Sequence, residues 1–202
     1  MTVYPIAKRA FDLICSVLIL AILSPFLLAL AVWIKTTSRG PVLYSAPRVG
    51  LGGRPFRMYK FRTMVLDADR IGGSSTPADD PRITPVGRQL RRHKLDELPQ
   101  LFNVIAGDMS LVGPRPQVQW AVDLYSPEER HVLTVPPGIT DYASLRFPNE
   151  GEILRASTDP DRDYMEKIHP EKMRLSLEYV RKRSFRTDLS ILAGTLTALL
   201  KH

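Results

Sequence analysis

The sequence holds a single cysteine, Cys15. No disulfide framework and no cysteine-based metal site can therefore form within one chain. Its four histidines, His93, His131, His169 and His202, stand without ligand spacing and read as solvated or loop residues. Zinc-finger spacing and RNA-binding aromatic signatures are both missing, and every basic helix has an apolar neighbour, so no nucleic-acid partner is expected. No βαβ alternation supports a Rossmann-type domain. The apolar block near the N-terminus is not followed by a small-residue cleavage region, which argues against a secretory signal.

What is present begins with charge. The chain has 202 residues and a formal net charge of +7. Its length suits one domain with an appended membrane segment. With nucleic acid set aside, the basic excess fits an anionic membrane surface or phosphorylated substrates. Apolar residues concentrate between Leu13 and Ile34, interrupted only by Cys15, Ser16, Ser24 and Pro25. An unbroken helix of this length can cross a bilayer core of ~30 Å. Pro25 removes a backbone hydrogen bond and favours a kink, and the Ser24 hydroxyl can satisfy the freed carbonyl. Lys8 and Arg9 precede the block, and Lys35 and Arg39 follow it. Basic residues belong on the cytoplasmic side, and both flanks meet that rule only if the chain enters and returns on one face. The expectation is a re-entrant helical hairpin turning at Ser24-Pro25. Residues 1–36 then form the membrane element and residues 37–202 a cytoplasmic, membrane-associated domain. A single spanning helix is the alternative. Asp12, costly in lipid unless paired, is expected to pair with Arg9.

The densest chemistry lies from Lys94 to Val104, continuing to Gly113-Pro114-Arg115-Pro116. Leu95, Leu98, Leu101, Phe102 and Ile105 recur at helical spacing and predict one buried face. Asp96 and Glu97 then sit side by side, roughly 100° apart around the helix. Two such carboxylates can divide labour. One can attack a phosphorus centre, and the other can help hold Mg²⁺ beside substrate phosphates. Arg88, Arg91, Arg92 and Lys94 upstream and Arg115 downstream surround them with cations, which suits a diphosphate. Proline on both sides of Arg115 restricts its backbone, and guanidinium is the better bidentate phosphate partner. The bland alternative is a solvated acidic pair in a helix's first turn, favoured by the dipole.

Residues 41–45 and 56–64 read as two strands around the glycine-rich turn 50–55, forming a hairpin. The two-residue period puts Lys60 and Arg62 on one face. A short helix follows from Val65 to Arg70, then a proline-rich loop to Pro85. Pro99 lies in the first turn of a helix starting near Leu95, or else kinks a longer one. Residues 117–135 read as helical, with a helix start at Ser126-Pro127-Glu128-Glu129. Residues 164–183 read as one amphipathic helix. Arg181-Lys182-Arg183 and Arg186 precede the apolar run Leu189–Leu200, which reads as an interfacial helix held by anionic lipids. Packing on the domain or on a second subunit, as in a homodimer, is the alternative for that run.

The run LDELPQLFNVIAGDMSLVGPRP, with Lys60-Phe61-Arg62-Thr63-Met64 and the N-terminal apolar segment, resembles the small monotopic phosphoglycosyl transferases. These bacterial sugar transferases begin lipid-linked glycan assembly. The resemblance runs from Lys8 to about Gly138 and is looser beyond. It implies an α/β fold, α+β in style, with interfacial helices around a small antiparallel sheet. A Ser-Pro-broken re-entrant helix would sit at the cytoplasmic face of the bacterial inner membrane. The implied reaction moves a sugar-1-phosphate from a UDP-sugar to polyprenyl (undecaprenyl) phosphate and releases UMP. The implied route is ping-pong, with Asp96 as nucleophile and Glu97 as the Mg²⁺ ligand, possible help coming from Asp96. Substrate contacts are expected from Lys60, Arg62, Arg91 and Arg115. Many relatives carry Gly-Trp-Ala-Gln where this chain has Asp141-Tyr142-Ala143-Ser144. Arg146 is the expected substitute for an arginine that follows it there. A non-catalytic membrane-anchored scaffold is the contrasting class, and it has no need of this constellation.

Overall fold

Leucine, isoleucine and alanine dominate the segment before residue 37, and it forms one uninterrupted helix, α1 (Tyr4–Thr37). The computed structural model describes residues 4–200. Pro25 cannot donate to the carbonyl of Ala21, four residues back. The Ser24 hydroxyl donates to that carbonyl instead, at 2.9 Å. The proline is thus accommodated inside α1, and no turn separates two hairpin arms there. One face of α1 packs on the rest of the chain along its length. Phe11, Cys15, Ile19 and Leu20 lie against one apolar cluster, and Leu27, Leu30, Ala31 and Ile34 against a second. The opposite face leaves Ile14, Leu18, Ile22 and Leu28 exposed.

Asp12 does not pair with Arg9. It lies 3.6 Å from Lys8, one turn earlier, and accepts from the Ser110 hydroxyl at 2.7 Å. Arg9 instead donates to the carbonyls of Val104 and Ile105. Those carbonyls end a short helix, and the last carbonyls of a helix have no internal partner. Lys8 also reaches Asp188 at 3.0 Å, and Asp188 accepts from the hydroxyls of Tyr4 and Tyr179. A buried polar cluster therefore ties the start of α1 to the C-terminal region.

The expected hairpin is present. Strands β1 (Leu43–Val49) and β2 (Pro55–Phe61) pair antiparallel, with Tyr44 opposite Lys60 and Arg48 opposite Phe56. The connecting 3-10 turn, Leu51–Gly53, has φ of +65° at Gly52 and +77° at Gly53, where a side chain would be strained. Arg62 is not on the Lys60 face. β2 ends at Phe61, and the buried Arg62 donates to the Ser38 carbonyl at 2.9 Å and hydroxyl at 2.7 Å. It caps the C-terminal end of α1, where orphan carbonyls and the helix dipole favour a cation.

Helices α2 (Ala68–Ile71) and α3 (Pro85–Arg92) follow. Lys94 adopts a left-handed conformation, φ +56°, and ends the α3 path. The chain restarts as a 3-10 turn, Leu95–Glu97, and continues through Leu98 and Pro99 in helical conformation into α4 (Gln100–Ala106). So the new helix begins near Leu95, with Pro99 tolerated in its early turns. Leu101 and Val104 enter the core, but Phe102 is exposed, and the buried face is shared with polar Gln100 and Asn103.

Then come β3 (Ser110–Val112), α5 (Gln119–Asp123), a 3-10 stretch (Glu129–Thr134) and β4 (Gly138–Thr140). The predicted helix start at Ser126 is a reciprocal capping box: Glu129 N–H donates to the Ser126 hydroxyl, and Ser126 N–H to the Glu129 carboxylate. β3 and β4 form a second, parallel pair that the sequence pattern does not reveal. Short helices α6 (Tyr142–Arg146) and α7 (Glu150–Ile153) lead to α8 (Pro160–Lys167) and α9 (His169–Lys182). The single helix expected over 164–183 is thus two, broken at Ile168. The last helix, α10 (Phe185–Leu200), buries Asp188 and Ile191 on the domain and exposes Leu189, Leu196 and Leu199. The result is a mixed helical structure around two small sheets.

Asn103 joins the hairpin to α4. Its Oδ1 accepts from Tyr59 N–H at 2.9 Å, and its Nδ2 donates to the Arg57 carbonyl at 2.7 Å. Asn103→Ala would orphan both β2 groups, at about 1–3 kcal/mol for each. Thermal unfolding in detergent should move down by roughly 2–4 °C for every kcal/mol lost. An unchanged midpoint would contradict this role.

Candidate active site

Three separate stretches build the site. Thr84 caps α3 by accepting from Gly87 N–H at 3.0 Å, with Pro85 in the first turn. A Cβ at Gly87 would collide with the Thr63 carbonyl, so α3 sits tight against the end of the hairpin. Arg91, near the end of α3, donates from Nε to the Thr63 hydroxyl at 2.9 Å. The left-handed turn at Lys94 then swings the chain so that Asp96 and Glu97 face β2 and the Pro114–Pro116 segment.

Glu97 is the junction. Lys60 of β2 places its Nζ 2.9 Å from Oε1. Arg115 takes both oxygens, with Nη2 on Oε1 and Nη1 3.2 Å from Oε2. This is the two-pronged guanidinium–carboxylate geometry. Burial alone would push Glu97 up, but Arg115 and Lys60 outweigh it and hold the carboxyl well below its usual range. The same contact drives Arg115 up, so its charge is secure. Asp96 differs. It is 6% exposed and makes no ion pair among the described residues. Burial raises its carboxyl above the ordinary 3.8; Lys60 opposes the rise and the neighbouring charge of Glu97 adds to it. Adjacent carboxylates whose environments push them apart are suited to different tasks.

Of the residues singled out by sequence, Lys60, Asp96, Glu97 and Arg115 meet directly or side by side. Arg91 stands behind them on Thr63, its charge acting on Asp96 from a distance. Arg62 is turned to Ser38 and takes no part. Arg146 is exposed at the end of α6, 5.9 Å from the centre of the Phe147 ring. Ser24 and Pro25 lie exposed in α1. Sequence reasoning passed over Arg48 and the pair Lys172–Glu150, in which the buried lysine sits 2.7 Å from the carboxylate. Arg48 becomes visible only when the hairpin register is known. The other pair joins α9 to α7 across 22 residues, and no local pattern announces it.

For a divalent cation the site offers two adjacent carboxylates. No cluster of three His, Cys, Asp or Glu side chains occurs among the described residues. A full protein cage is therefore lacking. The donor set fits Mg²⁺ held by one or two carboxylates with the remaining ligands from substrate phosphates and water. Asp96 has the carboxylate without a cationic partner, and Glu97 has both oxygens engaged.

The chain is similar to known proteins over most of its length. Residues 3–202 match the bacterial sugar transferase family. The chain is 42% identical over 196 residues to an undecaprenyl-phosphate glucose phosphotransferase of Komagataeibacter xylinus, covering 94% of this chain and 35% of that protein. It is 43% identical over 148 residues to a UDP-N-acetylgalactosamine-undecaprenyl-phosphate N-acetylgalactosaminephosphotransferase of Aeromonas hydrophila, covering 71% of this chain and 34% of that protein. A third relative, a UDP-glucose:undecaprenyl-phosphate glucose-1-phosphate transferase of Caulobacter vibrioides, is 38% identical over 196 residues, covering 96% of this chain and 69% of that protein. The chain thus spans about a third of the first two relatives and about two thirds of the third. With the family match running nearly end to end over a site of this composition, the chain belongs to the bacterial sugar transferase family.

Proposed function

We propose that this chain transfers a hexose- or N-acetylhexosamine-1-phosphate from a UDP-sugar to polyprenyl phosphate, as the names of its relatives describe for them. The observation that carries the reading is the split pair: Glu97 clamped by Lys60 and Arg115, and Asp96 buried beside it without a counter-ion. In the first step an Asp96 carboxylate oxygen attacks the phosphorus bonded to the sugar. The bond to the UMP phosphate breaks, and UMP leaves with the electron pair. A lipid phosphate oxygen then attacks the same phosphorus. The aspartyl–phosphorus bond breaks, and Asp96 returns as a carboxylate while polyprenyl-diphospho-sugar departs. Lys60 and Arg115 lie beside the attacking group, where they oppose the negative charge of the transferring phosphoryl group. Asp96 is the carboxylate with oxygens open to hold Mg²⁺, which would supply charge neutralisation on the phosphates when bound. Glu97 would join it only by giving up a contact to Lys60 or Arg115.

The lipid substrate asks for a site at the bilayer surface. Both halves of α1 pack on the same body, through Phe11–Leu20 at one end and Leu27–Ile34 at the other. A helix crossing the bilayer would carry one half away from a body that stays on one side. The exposed apolar face of α1 and the basic flanks therefore favour a monotopic helix lying within one leaflet at the cytoplasmic face. Arg181, Lys182, Arg183 and Arg186, before the half-exposed apolar face of α10, add an attraction to anionic lipids of ~1 kcal/mol for each residue near the surface.

Two outcomes follow. Wild-type protein incubated with an accepted UDP-sugar and no lipid should release UMP and gain a phosphosugar mass on the peptide containing Asp96. Asp96→Asn should do neither. A quenched mass spectrum that places the label on another residue would remove Asp96 from the role of nucleophile.

The second outcome concerns topology. Replacing Ser24 and Pro25 with leucine restores the backbone hydrogen bond that the proline lacks and removes the serine hydroxyl, in a helix that is already long and apolar enough to span. The basic flanks still resist translocation, so a mixture of topologies is expected, with activity falling as the spanning fraction rises. The readout is a Cys15→Ala, Thr2→Cys protein treated in intact cells with a membrane-impermeant thiol reagent. Position 2 lies outside the described residues and serves here only as a label site. It should stay protected with Ser24-Pro25 present and become partly labelled with leucines there. External labelling in the Ser-Pro protein would mean that α1 spans.

A further inference from the structure

The β1–β2 register carries a cation to this site that the reading above leaves without work. Residues directly opposite in an antiparallel pair project to the same side, and alternate residues of a strand share that side. Tyr44 is opposite Lys60, so Tyr44, Ala46 and Arg48 project to the face on which Lys60 reaches Glu97. The end of β1 is also tied to the Arg115 segment, because Val49 N–H donates to the Gln117 carbonyl at 2.9 Å. Arg48 thus belongs to the hairpin side of the site, partly buried and near enough for the charges of Arg115 and Glu97 to act on it. Burial and the like charge of Arg115 push its guanidinium down, while Tyr44, Asp69 and Glu97 oppose the shift.

The neighbours of Arg48 leave it uncompensated. Glu97 is occupied by Lys60 and Arg115. Asp69 accepts from the Tyr44 hydroxyl at 2.8 Å and forms no ion pair with Arg48. Among the described residues, Arg48 makes one hydrogen bond, from Nη1 to the carbonyl of Pro47 at 2.7 Å. A guanidinium has five donors, and none of those of Arg48 is among the buried polar atoms left without a partner, so they stay open to a ligand. Most of these donors point at no protein acceptor. Around the carboxylates of Glu97 and Asp96 stand Lys60, Arg115, Arg48 and, farther back, Arg91. The surplus is positive and waits for a ligand of negative charge.

We propose that Arg48 is a phosphate-gripping residue of the site, reaching it from the hairpin side. The inference rests on the transferase reading. The phosphate it holds belongs to the diphosphate of the donor or to the lipid phosphate of the acceptor, and these share the chemistry that guanidinium recognises. Tyr44 and Asp69 hold the strand end beside it and keep the opposing carboxylate occupied.

The test uses the full chain in detergent with Mg²⁺ and two variants, Arg48→Gln and Arg48→Lys. One arm measures single-turnover UMP release against donor concentration with no lipid present. The other loads the enzyme with phosphosugar and measures its transfer against the concentration of a short-chain polyprenyl phosphate. A third measurement follows UDP binding by calorimetry, independent of turnover. Arg48→Gln should raise the half-saturating concentration in one arm by about ten- to a hundredfold, the range for a lost charge-assisted hydrogen bond. Arg48→Lys should recover part of it. Weakening in the donor arm together with weaker UDP binding assigns the donor diphosphate. Weakening in the lipid arm alone assigns the acceptor phosphate. Wild-type half-saturation in both arms with unchanged UDP affinity overturns the proposal. So does unfolding of both variants, which would make Arg48 a structural residue. Failure of wild-type protein to release UMP from any UDP-sugar would count against the transferase reading itself. The calorimetric comparison would still decide whether Arg48 binds phosphate.

Discussion

The Glu97 carboxylate holds the site together. It accepts from Lys60 on the hairpin and from Arg115 on the proline-framed segment while sitting on the turn that leads into α4. Three parts of the chain that lie far apart in sequence meet on one pair of oxygens. Removing one partner of such a cluster leaves buried charge of one sign, which costs more than the pair itself contributes. Because Glu97 absorbs the two nearest cations, Asp96 is left buried and free. The contrast between two neighbours in sequence is thus produced by what each faces.

The membrane element depends on a different polar cluster. Lys8, Asp12 and Tyr4 on α1 meet Ser110, Tyr179 and Asp188 from β3, α9 and α10. Ser110 lies on β3, which is followed within a few residues by Arg115. The register of α1 against the body is therefore coupled through one short strand to the site. On the proposed function, a helix half sunk in lipid would need such a fixed register, because its depth would set where the site meets a lipid substrate. Ser24 and Pro25 fit the same arrangement: the hydroxyl takes the carbonyl that the proline frees, so the helix stays continuous across the interruption.

Local patterns made the hairpin, the capping box at Ser126, the helix start near Leu95 and the Asp96–Glu97 pair legible before any coordinates. Each is governed by residues within a few positions of one another. Lys60 and Arg115 were legible as cations near the site. What escaped depends on long-range geometry. Arg62 obeys the strand period on paper, but the strand stops one residue earlier and the C-terminal end of α1 claims its guanidinium. Arg9 was matched to Asp12 by helical spacing, yet the carbonyls ending α4 took it, and Lys8 took Asp12. Phe102 belongs to the apolar spacing but lies outside, because Asn103 and Gln100 occupy the face on β2. The parallel pairing of β3 with β4 bridges a gap that no periodicity spans.

The division of labour between the two carboxylates is best tested by the pH dependence of UMP release in a single turnover without lipid acceptor. Both phosphates of a UDP-sugar are strongly acidic, so the donor itself does not titrate in the range of interest. On the proposed route attack requires Asp96 as a carboxylate, and in the metal-free protein burial raises this group above the ordinary aspartate value of 3.8. Followed at several Mg²⁺ concentrations and extrapolated to low metal, where the dication no longer pulls the carboxyl down, the rate should fall reversibly with acid, with its midpoint above 3.8, and recover when the pH is restored. A rate that stays flat through that region, or falls only below it, would contradict a buried and uncompensated Asp96 as the attacking group.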